Sequence, residues 1–289
     1  MVGTKACPPY EAMNKLCIAI CADDYAQHEG IDQAICTLLA QQRLSAVSCM
    51  SSAPRWPANA PRLHDFQDVA DFGLHFNLTE SFGTQALSYP LTSLITRAYL
   101  RQLNSTTIAT QLQQQCDAFE QHLKQAPAFI DGHQHIHQLP LIREVMQKIV
   151  IQRYGNNLPW VRNTVPSSVR YGKKALILKL LGGAKLHAQL KRAKLISNQG
   201  FSGVYDFNTV DYGALFEQWL QRIRNRGVSG NLIMCHPASS FPESDAIGSA
   251  RKAEYVFFNS DAFPQLLQQY QINVHRLSDI LLNAEFQRH

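Results

Sequence analysis

Phe129-Ile130-Asp131-Gly132-His133-Gln134-His135-Ile136-His137-Gln138-Leu139-Pro140 joins a short apolar run to a crowd of imidazoles. Three of the chain's 11 histidines fall within five residues here. Residues 128–131 read as a buried strand, and the histidines follow at its C-terminal end. A helix is predicted over 141–154, with Pro140 near its first turn, where a missing N–H is tolerated. In an α/β barrel, the C-terminal ends of parallel strands share one mouth, and active sites sit there. Imidazoles concentrated at such a place point to a metal ion or a proton-transfer task. A solvated polar loop is the plainer alternative.

The same pattern of strand, polar loop and helix recurs outward along the chain. Strands are predicted at 16–22, 46–50, 72–77, 160–163, 231–235 and 272–274. Helices are predicted at 31–42, 106–124, 211–226, 262–270 and 277–282. Strand–helix alternation over the whole length argues for parallel strands in one α/β domain spanning 1–289, either a barrel or an open sheet. Residues 1–14 read as an N-terminal extension and 167–200 as a basic helical insertion. Asp23-Asp24, His75, the 133–137 cluster, Arg162 and His236 each lie at or just past the end of a predicted strand. Separate segments therefore deliver polar groups to one face.

The bulk composition narrows the function classes. With 45% hydrophobic and 17% charged residues, the chain can bury a sizeable core. A formal net charge of +5 does not require nucleic acid as a partner. The seven cysteines are odd in number, scattered and without a C-x-x-C pair, which reads as reduced thiols rather than a disulfide frame. No run reaches the roughly 18 apolar residues of a membrane span. A cytoplasmic location is expected, with peripheral attachment at a membrane surface as a variant of it. That variant comes from the stretch between Asn163 and Tyr205, which has no acidic residue but holds Arg170, Lys173, Lys174, Lys179, Lys185, Lys191, Arg192 and Lys194. Leucines interleave with these charges. The tract is either an exposed helical pair or a surface attracted to anionic substrates or lipids.

Each polar group has a chemical reading beside a structural one. Adjacent carboxylates repel, so a cation is expected to take one of Asp23-Asp24, leaving the other free as a general base. Both reach one site only if the strand has already ended, because strand side chains alternate. His75 shares a predicted face with Asn77 and Thr79 and is either a core histidine or a ligand. Within the cluster, His133 and His137 share a helical face, whereas all three histidines share an extended one. His236 suits a general acid, and Arg162 suits pairing with the free carboxylate. Asp245, Arg251 and Glu254 form either a solvated face or an ion network supporting His236.

Taken together, these segments resemble the YdjC-like family of carbohydrate deacetylases, the group that includes chitooligosaccharide and hopanoid-associated deacetylases. The matching blocks are Ala22-Asp23-Asp24-Tyr25, Gly73-Leu74-His75-Phe76-Asn77-Leu78-Thr79, Asp131-Gly132-His133-Gln134-His135-Ile136-His137 with Pro140, Cys235-His236-Pro237, and Arg251 with Glu254. They occur in the family's order. The resemblance implies a distorted (β/α) barrel similar to that of polysaccharide deacetylases. It implies one divalent ion, Mg or Zn, held by Asp24, His75 and His133. His137 is an additional ligand or a supporting residue, as is His135. Asp23 is implied as the base, His236 as the acid and Arg162 as the residue that orients Asp23, with Asp131, Arg251 and Glu254 in support. Two positions depart from the family: Tyr25-Ala26 stands where Phe-Gly is usual, and Ala238 replaces a Gly.

The implied reaction is metal-dependent hydrolysis of an N-acetyl group from a sugar, giving acetate and an amino sugar. Hydrolysis of another amide or ester would use the same groups. A non-catalytic carbohydrate-binding protein on the same scaffold is the reading from another class, but it predicts the loss of a base or ligand, and every such group is present. The expected partner is an N-acetylated sugar, anionic and lipid-linked forms included. Nucleic acid is not expected, and a homodimer is compatible with the sequence.

Overall fold

The computed structural model describes residues 15–83, 88–166 and 173–286. The expected N-terminal extension, residues 1–14, lies outside them, as does Arg170 of the basic tract. The described strands are β1 (Leu16–Tyr25), β2 (Ala46–Cys49), β3 (Asp71–Phe76), β4 (Phe129–Gly132), β5 (Trp160–Val161), β6 (Gly200–Ser202), β7 (Asn231–Cys235) and β8 (Ile272–Val274). They form one parallel sheet in the order β5-β4-β3-β2-β1-β7-β6, with β8 beside β1. Ile18 pairs with Asn231 and with Val274, so β7 and β8 lie on opposite edges of β1.

The sheet curls into a barrel that is stitched loosely between β5 and β6. The Val161 N–H donates to the Ile196 carbonyl at 2.9 Å. Asn163 and Asn198 exchange two hydrogen bonds of 2.7 and 2.8 Å. A single bridge pairs Pro166 with Phe201.

Alternation along the strands separates two cores. Ala19, Cys21, Ala46, Phe129, Trp160, Phe201, Leu232 and Met234 pack inside the barrel. Ile18, Ile20, Val47, Phe72, Leu74, Ile130, Val161 and Ile233 face the surrounding helices. Gly73 has a packing reason: a Cβ there would lie 2.4 Å from the ring of Phe129. Phe129 in turn stacks on Trp160 at 4.1 Å between centroids.

The helices cover the outer face. Ser105–Leu123 is capped by Asn104, whose side chain accepts the Thr107 N–H, and it buries Ile108, Leu112, Cys116, Phe119 and Leu123 along one stripe. Glu29–Ala40 starts two residues before its predicted boundary because His28 Nδ1 accepts the Gly30 N–H. Tyr212, Phe216, Trp219, Phe257, Phe258 and Phe263 form an aromatic cluster between the helices Tyr212–Arg226, Gly248–Phe258 and Ala262–Gln269. The sequence reading assigned no helix to Gly248–Phe258 or Leu91–Tyr99, and no strand to Gly200–Ser202.

Candidate metal centre

One step of alternation above the apolar interior, the inward positions turn polar. Cys21 is followed by Asp23, Ala46 by Ser48, Gly73 by His75, Phe129 by Asp131, Trp160 by Arg162 and Met234 by His236. Each pair is two residues apart and points to the same side. Six chain segments thus lay a polar floor on an apolar plug. His75 and Asp131 are register partners on neighbouring strands. Their side chains meet as a consequence, with Nδ1 of His75 2.6 Å from Asp131 Oδ1. Ser48 Oγ donates to the same carboxylate at 2.5 Å.

Asp24 should point outward by alternation, and a backbone irregularity reverses it. The β1–β2 register shifts between Ala22 and Tyr25, and Asp24 has φ 71°. A left-handed non-glycine residue in a strand is strained, and such strain gathers at functional positions. Its effect is to bring both neighbouring carboxylates into one site without the strand having ended. Ala26, where a Gly was expected, also has φ 74°. Alanine therefore adopts the left-handed bend, and its N–H donates to the buried Asp32 at 2.7 Å.

Asp24 Oδ1 lies 2.9 Å from His133 Nδ1 and 3.3 Å from His75 Nε2. Ligand atoms of Asp24, His75 and His133 all lie within 4.8 Å of one another. The donor set fits a divalent ion. One carboxylate and two imidazoles suit Zn²⁺ and similar ions, and the carboxylate also admits harder metals. Asp131 behind His75 leaves Nε2 directed at the centre, the arrangement in which an outer carboxylate fixes a ligand imidazole. Burial opposes charge on His75, yet Asp131 and Asp24 push it up to about 10. His133 is raised too, with Asp24 outweighing burial. Burial also works against ionised Asp24, but Arg251 and His133 hold it well below the usual carboxylate range. The carboxylates around the two imidazoles favour positive charge at this point, which is what a cation site requires.

Asp23 goes to a different partner. Arg162 grips it with two hydrogen bonds of 2.7 and 2.6 Å, and the same guanidinium reaches Asp131 at 2.6 Å. Cys21, Asp23 and Asp131 also form a group of ligand-type atoms. Arg162 already supplies the cation there, including a 3.1 Å contact to Cys21 Sγ. His236 Nε2 stands 4.0 Å from Asp23 Oδ2. Burial pushes that imidazole down to about 4.

The histidine cluster is neither helical nor extended. Gln134 and His135 have φ 51° and 59°, which breaks His133–Gln138 into a kinked turn. The three rings diverge as a result. His133 faces Asp24. His137 stands outside the ligand group, and its Nε2 lies 3.0 Å from the Arg162 carbonyl, placed to donate to it. His135 packs edge-on against Phe201 at 5.7 Å. Burial, then Arg162 and His137, hold His135 well below the ordinary histidine range.

The residues after His236 tie the floor together. Arg251 donates to Asp24 at 2.7 Å and to Asp245 at 2.9 Å. Glu254 accepts from the His236 amide and from Tyr205 Oη, the latter at 2.6 Å. Burial pushes its carboxyl up to about 7 despite those hydrogen bonds.

Sequence reading missed Glu80 and Ser48. Alternation predicted Asn77 and Thr79 on the face of His75, but β3 ends at Phe76. Asn77 instead folds into a turn, with its Oδ1 accepting the N–H groups of Thr79 and Glu80 at 2.9 Å each. Glu80 Oε1 then sits 3.5 Å from His133 Nε2. The only sequence signal was an Asn three residues before an acid, a common turn opener.

These groups line a cavity of about 800 Å³ at the C-terminal face of the sheet. Asp23, Asp24, His75, His133 and His236 form its floor, and Phe82, Leu91, Ile95, Ile177, Leu181 and Phe207 are among its walls.

No curated protein matches this chain. Among solved structures, it resembles a protein of Enterococcus faecalis V583 described as a candidate for cellobiose-phosphate cleavage. The match has TM-score 0.71 at 14% identity and covers 92% of this chain and 99% of the other. A family 4 acetyl xylan esterase from Clostridium thermocellum, in complex with cobalt, matches at TM-score 0.47 and 10% identity, covering 92% and 90%. A peptidoglycan N-acetylglucosamine deacetylase matches at 0.48 and 15%, covering 94% and 89%. Residues 17–269 match the YdjC-like protein family, and the chain belongs to that family.

Proposed function

We propose that the protein hydrolyses the N-acetyl group of a sugar, using one divalent ion held by Asp24, His75 and His133. The observation that carries this reading is the separation of two adjacent carboxylates. Asp24 turns to the imidazoles, and Asp23 turns to Arg162. Membership of the YdjC-like family supports it.

The chemistry such an ion supplies when bound is Lewis acidity, polarising the acetyl carbonyl and lowering the pKa of water toward about 7. The chain's own residues do the rest. Arg162 holds Asp23 in a fixed orientation at the cavity floor, with Oδ2 toward His236. Asp23 takes the proton of the attacking water. His236 rests neutral. The proton that Asp23 takes from the water passes to His236 Nε2, 4.0 Å away, and the imidazolium so formed gives it to the leaving amine. A sugar seated against the apolar walls would displace water and strengthen each of these interactions. Acetate and a free amino sugar leave.

Acetate release from a panel of N-acetyl sugars, measured with and without a chelator, tests the proposal. The panel should span single sugars, oligomers, phosphorylated disaccharides and lipid-linked forms, since the Enterococcus relative is described by a sugar phosphate. Chelator-sensitive release is expected from at least one. No such release from any would favour the binding-protein reading.

A further inference from the structure

We propose that the rim of the cavity formed by residues 173–194 is a docking surface for an anionic lipid bilayer. The segment comprises the helices Lys173–Leu178 and Ala184–Ala193, joined through the π-turn Lys179–Gly183. Its first part carries two distinct stripes. Lys174, Ile177, Leu178 and Leu181 recur at helical spacing and line the cavity. Lys173, Leu176 and Leu180 form a neighbouring stripe that faces away from it. Leu176 and Ile177 are each 53% exposed and Leu180 is 71% exposed. Ala175, Leu186 and Leu190 are buried, so the segment is packed on the body by its other face.

A leucine stripe this exposed needs a partner, and the charges around it identify the partner's sign. No acidic residue occurs between Asn163 and Tyr205. Lys173, Lys174, Lys185, Lys191, Arg192 and Lys194 are exposed, and none forms an ion pair among the described residues. Lysines flanking exposed leucines suit a negatively charged headgroup layer over acyl chains. A second copy of this chain would bring the same positive charge to the contact and be repelled.

Position adds a further argument. One more exposed apolar side chain, Phe241, adjoins Pro242, which lines the cavity. Ile177 and Leu178, next to the exposed Leu176, line the cavity, so the exposed stripe borders its mouth. No helix among the described residues is long and apolar enough to cross a membrane, so the attachment would be peripheral.

Sedimentation of the full chain with phosphatidylglycerol vesicles, against phosphatidylcholine vesicles, tests the proposal. The native protein should pellet with the anionic vesicles and be released by salt. Leu176→Ser with Leu180→Ser should lower that affinity at least roughly tenfold. Lys173→Gln with Lys185→Gln should lower it by a similar factor and guards against misfolding of the first variant. Neither pair includes a floor residue, so chelator-sensitive acetate release from a water-soluble substrate should be unchanged in both. That separates this proposal from the reaction assigned above. Unchanged vesicle binding in both variants, or no binding by the native chain, would overturn it. So would a native dimer that becomes monomeric in the leucine variant, since the rim would then be a self-interface.

Discussion

At the residue scale, the proposed function rests on how each carboxylate is shared. His75 and His133 each have one nitrogen toward Asp24 and a carboxylate behind the other, Asp131 for His75 and Glu80 for His133. Outer carboxylates fix ring orientation and raise ligand basicity. Glu80→Gln should therefore weaken metal binding about tenfold while leaving the fold intact. Competition with a chromophoric chelator measures this, and unchanged affinity would remove Glu80 from the site. Asp23 should behave differently. Asp23→Asn is expected to lower turnover by at least ~10²-fold with metal affinity retained; near-native turnover would rule it out as the base.

Glu254 gives a pH prediction with a defined sign. Its carboxyl is raised from an ordinary 4.5 to about 7 in the fold. Below about 4.5 both folded and unfolded chains hold the proton, and the contribution to stability is fully present. Between 4.5 and about 7 only the folded state retains it, so stability falls as pH rises through that window. The span corresponds to on the order of 3 kcal/mol. Glutamine can satisfy both partners, accepting the His236 N–H and donating to Tyr205 Oη. Glu254→Gln should flatten that part of the pH profile of the unfolding midpoint. A variant that tracks the native profile would refute the assignment.

At the scale of elements, the basic segment is fastened to the histidine turn at one point. Gly182 has φ 124°, and a Cβ there would lie 2.3 Å from the Gln138 carbonyl. Gln138 also donates to the Leu178 carbonyl at 3.0 Å and accepts from Thr164 Oγ1 at 2.5 Å. The turn that orients His133 and the helix that walls the cavity thus share Gln138. Gly182→Ala meets both a forbidden backbone angle and a backbone clash, and should cost about 2 kcal/mol or more. Chemical denaturation would show it; a loss below ~0.5 kcal/mol would mean the contact is dispensable.

At the scale of the whole molecule, the proposed metal centre draws on β1, β3 and the turn after β4 and would couple ion binding to global stability. An ion that binds only the folded state adds about 2.7 kcal/mol when present at a hundredfold excess over its Kd. Thermal unfolding with added Zn²⁺ or Mg²⁺ should show a raised midpoint for the native chain and for Asp23→Asn. His75→Ala and Asp24→Ala should lose the shift. Equal shifts in all four proteins would place the ion elsewhere.

Much of this is legible in the sequence. Buried parallel strands carry continuous apolar runs, so residues 16–22 and 231–235 stood out, and β7 matches its predicted span. Long one-sided stripes marked the helices. The strand Gly200–Ser202 is too short for any period to show, and Gly248–Phe258 mixes charged and apolar residues without an N-cap signal. Sequence determined the alternation of the longer strands and helices, the strand-end placement of the polar residues and the family, because these depend on local pattern and residue identity. Tertiary structure alone decided which of those residues meet. Asp24 turns inward only through a left-handed backbone, the three imidazoles part only at a kinked turn, and Glu80 arrives only on a turn built by Asn77. Each depends on a dihedral angle or on neighbouring strands in register, and neither quantity is written in residue spacing.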